Sequence, residues 1–148
     1  MKVQIKYQKD ENEEIIIKEE LKKIEFNEWI DMRSAEDVEM KKGDFKLISL
    51  GVSMKLPRHF EAHVVPRSST FKNFGILQTN SMGIIDNSFS SNEDVWKFPA
   101  LAVRDTKISR GDRICQFRIM PTMIGFDFEI VEDLGDNTRG GFGSTGIK

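Results

Sequence analysis

A guanidinium stands beside three hydroxyls at Pro66-Arg67-Ser68-Ser69-Thr70, directly after the apolar run AHVVP. Forked N–H donors and short O–H donors of this kind suit phosphate oxygens. Arg139-Gly140-Gly141-Phe142-Gly143-Ser144-Thr145-Gly146 repeats those donors on a glycine-rich backbone whose N–H groups can approach a phosphate closely. Between the two, Asn80-Ser81-Met82-Gly83-Ile84-Ile85-Asp86-Asn87-Ser88-Phe89 carries a carboxylate out of an apolar pair. Gly83 beside it is a place where backbone can contact a ligand. A fourth group, Gly111-Asp112-Arg113-Ile114-Cys115-Gln116-Phe117, is a turn feeding a strand with Gln116 on its polar face. Each group alone reads as an ordinary turn or tail. Together, in one chain, they point to a site for a polyanion.

Nucleophile-and-base chemistry fails on inventory. The one cysteine, Cys115, falls on the apolar side of its strand, a poor place for a reactive thiolate. His59 and His63 are four apart in a segment that reads as a strand, and no third His or Cys ligand accompanies them. They read as surface or structural histidines. With 22 Lys and Arg against 24 Asp and Glu, the net charge is −2, so no global basic field drives nucleic-acid binding. A single cysteine excludes an internal disulfide and fits a reducing compartment. The segment MKVQIKYQKDENEE has no apolar core of a secretory signal, and no apolar run is long enough to cross a bilayer. The expectation is a cytoplasmic protein with no membrane partner.

The elements that must position these groups read mostly as strands. Val3, Ile5 and Tyr7 alternate with polar residues, and Ile48, Leu50, Val52, Met54 and Leu56 form the longest strict alternation. Ile124, Phe126, Phe128 and Ile130 predict a further strand, as do Cys115, Phe117 and Ile119. Val95 to Val103 is apolar on both faces and predicts a buried strand with a bend at Pro99. Ile17, Leu21 and Ile24 fall at helical spacing, although the three adjacent isoleucines suit a strand equally. Turns are expected at Lys42-Gly43-Asp44, Ser109-Arg110-Gly111-Asp112 and Leu134-Gly135-Asp136-Asn137. Hydrophobic residues at 39% suffice for a core. The result is a single all-β domain, a sandwich or jelly-roll-like barrel with at most one short helix. Residues 135–148 read from composition as a flexible arm.

The four groups, in this order, resemble the motifs of the trimeric-type dUTPases (dUTP diphosphatases). PRSS matches the family's second motif, NSMGIIDNSF the third, GDRICQF the fourth, and RG with GGFGSTG the fifth. Trp29-Ile30-Asp31-Met32 with Ala35-Glu36-Asp37 stands for the first, a form similar to the variant of Bacillus and its phages. The resemblance implies a homotrimer of the jelly-roll-like β-clip fold that hydrolyses dUTP to dUMP and diphosphate with Mg²⁺. That activity limits uracil in DNA and supplies dUMP for dTMP synthesis. Alternatives on the same fold are dCTP deamination and a nucleotide-gated regulatory binding role.

By that resemblance, Asp86 orients and deprotonates the attacking water, and Gln116 lies near the attacked α-phosphate. Arg67, Ser68 and Ser69 contact the phosphate chain. Asn80, Gly83, Ile84 and Ile85 belong to a hairpin whose backbone pairs with the uracil edge. Phe89, where the family usually has Tyr, lies under the deoxyribose. Asp31 holds Mg²⁺ through water only. Arg139, Ser144 and Thr145 take the γ-phosphate, Gly143 also binds substrate, and Phe142 closes over uracil, so that the 135–148 arm covers the site, contributed by a neighbouring chain. Two departures stand out. RGGF is shorter than the family's RGxGGF, and the stretch after Phe89 lacks the usual Gly-Glu. Trp96 and Phe98, in that stretch, read as core, with stacking on the base as the alternative.

Overall fold

The computed structural model describes residues 1–22, 25–26 and 28–148. Its strands, in chain order, are β1 (Gln4–Tyr7), β2 (Ile30–Arg33), β3 (Val38–Met40), β4 (Phe45–Ser49), β5 (Val52–Lys55) and β6 (Phe60–Pro66). The helical turn α1 (Thr70–Phe74) follows, then β7 (Ile76–Gln78), β8 (Gly83–Ile85), β9 (Lys97–Ala102), β10 (Thr106–Ile108) and β11 (Arg113–Pro121). A four-stranded sheet of order β2-β11-β6-β8 and a three-stranded sheet of order β4-β9-β7 are joined by two ribbons, β1-β5 and β3-β10. All these pairings are antiparallel. The expected all-β, jelly-roll-like architecture is the one observed.

The long alternation keeps its facing but not its continuity. Ile48, Leu50, Val52, Met54 and Leu56 are all buried. The backbone nevertheless breaks at Gly51, so β4 pairs with β9 while β5 pairs with β1. Gly51 has φ +72°, and a Cβ there would sit 2.9 Å from Ile17 Cγ1 and 3.0 Å from Ala35 Cβ. Only glycine fits both the conformation and the space, so the strand changes partners there. The core gathers around Trp96 and Phe117, whose rings meet edge to face at 5.2 Å. Trp96 and Phe98 are fully buried, which places both in the core.

Three expectations need correction. Val95–Val103 is not apolar-packed on both faces. Phe98, Ala100 and Ala102 point inward while Lys97, Pro99 and Leu101 point outward. Pro99 is tolerated in the central strand because its carbonyl accepts from Thr79 N, one residue beyond the end of β7, where no ladder continues to miss its N–H.

The helical spacing around Ile17 does not produce a helix. Ile15 forms a bridge with Lys9, Ile17 is buried against Gly51, and Leu21 N donates to Tyr7 Oη at 2.6 Å. Contacts with Tyr7 of β1, Lys9 and Gly51 hold this segment open, and Ile24 lies outside the described residues. The helical turn forms instead at Thr70, whose Oγ1 accepts from Arg67 N and donates to Ile114 O, each at 2.8 Å.

The alternation at Ile124, Phe126, Phe128 and Ile130 forms no strand in this chain; the four are 56–96% exposed. An amphipathic strand needs a sheet edge beside it, and β11 has already ended at Pro121.

Candidate functional site

One half of the site is built where β6 ends and β2 and β11 run beside it. Gln116 of β11 is in register with Asp31 of β2 on one side and Val65 of β6 on the other. Gln116 Nε2 donates to Pro66 O at 3.1 Å, which fixes the side chain against the start of the Arg67-Ser68-Ser69 loop. Arg67 Nε donates to Asp31 Oδ1 at 2.9 Å and Arg67 Nη1 to Ser69 Oγ at 3.2 Å. The other Asp31 oxygen accepts from Arg113 Nη1 at 3.1 Å. Asp31 thus clamps two guanidiniums side by side at the surface, with the exposed Ser68 next to them. Two cations sharing one carboxylate leave a positive excess suited to a polyanion.

Arg113 has no assigned role in the sequence reading, and the reason is local. Strict alternation along β11 would put Ile114 on the Gln116 face and turn Arg113 away. A bulge shifts the register between Arg113 and Cys115, so Ile114 and Cys115 are both buried and Arg113 comes round to the Gln116 face. Arg33 of β2 lies close by, held by Gly111 O at 2.7 Å. Burial pushes the Cys115 thiol far above the usual range, the neighbouring Asp31 carboxylate adding to the shift, which removes it as a nucleophile.

The second half lies at the other side of the sheet. The Asn80-Ser81-Met82 turn connects β7, in the three-stranded sheet, to β8, in the four-stranded sheet. The expected hairpin is therefore a crossing between sheets, not a paired two-strand ribbon. Ser81 takes φ +61° at its apex. A cleft of about 420 Å³ opens beside the turn, lined among others by Asn80, Gly83, Ile85 and Phe89. A Cβ on Gly83 would lie 3.4 Å from Val64 Cβ, so the strand is seated closely on β6. Ile84 faces outward and is largely exposed. Trp96 forms the buried floor and Phe89 the half-open wall.

Asp86 follows β8 at an exposed position. Its Oδ1 accepts from Ser88 Oγ at 2.5 Å and from Ser88 N at 2.8 Å, and these bonds hold its carboxyl below the usual carboxylate range. Asn87 Nδ2 donates to Leu56 O at 2.8 Å and anchors the loop that carries it.

The two halves do not meet within the chain. Ile85 pairs with Ala62, so Asp86 continues level with Glu61 and, across it, Met120 of β11. Gln116 is therefore four residues away along β11 and two strand spacings across. At about 3.4 Å per residue and 4.8 Å per spacing, that is roughly 16 Å, and Asp31 one strand further is about 20 Å away. No single phosphorus can be reached by both Asp86 and Gln116 of one chain. Between the halves lie His63, in contact with Glu61 at 2.6 Å, and Arg118, stacked over Trp29 at 5.2 Å. His59 sits in a turn at φ +68°.

Arg139, Phe142, Gly143, Ser144 and Thr145 are exposed, Phe142 completely. The hydrogen bonds described for this segment run within it, as from Ser144 N to Gly141 O. The arm reaches neither half of the site in its own chain.

Asp31 also bears on a divalent cation. Both its oxygens are engaged by guanidiniums, which leaves lone pairs suited to accepting from metal-bound water and not to direct ligation of a hard cation. The residues present fit Mg²⁺ held chiefly by phosphate oxygens and water. Among the described residues no helix is long and apolar enough to cross a membrane.

The dUTPase family model matches residues 30–146. The chain is 57% identical over 148 residues, the full length of both, to the SPbeta prophage-derived deoxyuridine 5'-triphosphate nucleotidohydrolase YosS of Bacillus subtilis. It is 37% identical over 120 residues to the deoxyuridine 5'-triphosphate nucleotidohydrolase of Crocosphaera subtropica, covering 80% of this chain and 83% of the relative. Among solved structures, the dUTPase of Staphylococcus bacteriophage 80alpha with dUpNHpp superposes with a TM-score of 0.73 at 17% identity, covering 99% of each chain. The dUTPase from Streptococcus mutans superposes at 0.66 with 22% identity, over 83% of this chain and 98% of that one. These two share the fold.

Proposed function

The chain belongs to the dUTPase family, and from that premise we propose a Mg²⁺-dependent dUTP diphosphatase whose active sites form between protomers of a homotrimer. The observation that carries the reading is the pair of half-sites. A cation-rich half built from Arg67, Ser68, Ser69, Arg113 and Gln116 suits a triphosphate. A cleft with Asn80, Gly83, Ile84, Ile85 and Phe89, next to the Asp86 carboxylate, suits a nucleoside and its attacking water. Their separation within one chain calls for a neighbour to supply the missing half. Neither dCTP deamination nor a purely regulatory binding role is favoured by the family match.

In this reading, Asp86 is ionised at neutral pH and, with its carboxyl held low by Ser88, is a weak base. Its main work is to orient water toward the α-phosphorus, while rate enhancement comes from alignment and from cations facing the triphosphate. Arg67 and Arg113, pre-set by Asp31, face the charge that develops on the phosphate oxygens and the diphosphate leaving group. Mg²⁺, when bound with the nucleotide, would neutralise part of that charge, with Asp31 accepting from its waters. Phe89 packs under the deoxyribose and leaves no room for a 2′-hydroxyl. The 135–148 arm of a neighbouring protomer covers the site, Phe142 over the base and Arg139, Gly143, Ser144 and Thr145 on the γ-phosphate.

Diphosphate release from dUTP, UTP, dTTP and dCTP tests this. Turnover is expected on dUTP with strong rejection of the others. Equal rates on UTP would sink the role of Phe89, and the absence of turnover on dUTP would sink the whole reading.

A further inference from the structure

Gln78, at the end of β7, is buried, and its amide makes two bonds. Nε2 donates to the main-chain oxygen of Val64 at 3.0 Å and to Asn80 Oδ1 at 2.9 Å. The orientation of both amides follows from one fixed point. A main-chain carbonyl only accepts, so the Gln78 atom facing Val64 O is the nitrogen. That nitrogen has two hydrogens, and the second goes to Asn80, whose facing atom must then be the oxygen. The arrangement leaves Gln78 Oε1 buried without a partner among the described residues, a cost the fold accepts so that Nε2 can make both bonds.

The consequence falls on Asn80. With Oδ1 turned to Gln78, the group the amide presents on its other side is the Nδ2 amine. Asn80 Nδ2 lies on the Gly83 side, 3.8 Å from where a Cβ of Gly83 would stand, and both residues line the cleft that also holds Phe89. We infer that Gln78 is a positioning residue for base selection. By holding Asn80 Oδ1 it makes Asn80 an obligate donor toward the base, matched to the 4-oxo acceptor of uracil and opposed to the 4-amino donor of cytosine. This rests on the reading that the cleft takes the base of dUTP.

Gln78→Glu provides the test, because it changes one atom at nearly constant shape. The oxygen at the former Nε2 position carries at most one hydrogen. That hydrogen goes to Val64 O, so the oxygen can only accept from Asn80, and the Asn80 amide turns over to present Oδ1 to the base. Asn80→Asp makes the same acceptor-for-donor exchange from the ligand side with the Gln78 bond to Val64 intact. It decides the matter if the Gln78→Glu chain does not fold.

The readout is kcat/KM for diphosphate release from dUTP and dCTP, and its ratio. The ratio is expected to fall by roughly 10- to 100-fold in both variants, as when a polar group in a site loses its match. A structural role alone would slow both substrates by one factor and leave the wild-type ratio, and that result overturns the inference. A wild-type ratio in Asn80→Asp overturns it equally. A wild-type protein without turnover on dUTP overturns the parent reading and this one with it, so the two failures are distinguishable.

Discussion

Mixing two inactive variants should restore turnover, because the half-sites of one chain lie too far apart to serve the same phosphorus. Asp86→Asn removes the carboxylate proposed to orient water and Gln116→Ala removes the amide on the opposite half. The sheet register puts these residues roughly 16 Å apart in one chain. Their side chains together extend by about half of that, and a water-to-phosphorus attack distance is only about 3–3.5 Å. In a cyclic trimer, each site would join Asp86 of one protomer to Gln116 of another. Co-refolding the two variants at equal concentration gives random trimers. A site then has both groups intact with a probability of about one half times one half, so about a quarter of wild-type turnover is expected. The assay is steady-state diphosphate release from dUTP, with each variant refolded alone as the baseline. If the mixture gives no more than the sum of its parents, the site lies within one chain and the register argument fails.

Replacing Ser88 by Ala removes the hydroxyl bond, the larger of the two that lower the Asp86 carboxyl, and keeps the backbone N–H bond, so the acid limb of the pH–rate profile should move part of the way up toward the ordinary carboxylate range. Because the folded value lies below the unfolded one, the Ser88 contribution to stability is present above the unfolded carboxylate range and is lost as pH falls through the folded value; urea titrations at several pH values read the sign. Asp31→Asn leaves Arg67 and Arg113 adjacent without their shared counterion. It should strengthen the salt-dependent part of triphosphate affinity, while the lost preset of the two guanidiniums lowers kcat, and lower stability by only about 1 kcal/mol, since all three side chains are partly exposed; calorimetry with a non-hydrolysable analogue, steady-state turnover and chemical denaturation separate the three. Phe126→Asp with Phe128→Asp should shift the proposed trimer to monomer in sedimentation. Those exposed rings fit burial against a neighbour, and an unchanged trimer would refute that assignment.

What was legible in the sequence was whatever is contiguous along it. PRSS, NSMGIIDNSF and GDRICQF each carry their chemistry within one short stretch, and β1, β5 and the faces of the Ile48–Leu56 run follow from alternation alone. What was not legible depends on partners elsewhere in the chain. The strand change at Gly51 is set by crowding from Ile17 and Ala35, which alternation does not encode. Arg113 was hidden by a bulge that reverses facing between Arg113 and Cys115. The helical turn at Thr70 owes its place to a bond with Ile114, far along the chain, while the better helical composition around Leu21 was overridden by Tyr7 and Gly51. Ile124–Ile130 has the alternation of a strand, but it pairs with none of the described strands of this chain.

The separation of the halves has an electrostatic reason as well as a geometric one. Had Asp86 been placed beside Arg67 and Arg113 in the same chain, it would be a second counterion for them, and the phosphate half would lose its positive excess before substrate arrived. In the fold observed, Asp31 alone among the described residues bridges the two guanidiniums, and the bonds that lower the Asp86 carboxyl come from neutral Ser88 donors, not from a cation. Each half therefore keeps its own character: net positive charge on one, an ionised but uncommitted carboxylate on the other. A triphosphate entering between protomers would meet the cations along its chain and the carboxylate only at its α-phosphorus. That arrangement also accounts for a net charge near zero in a protein that binds a polyanion, since selectivity depends on which charges share a site and not on their sum over the chain.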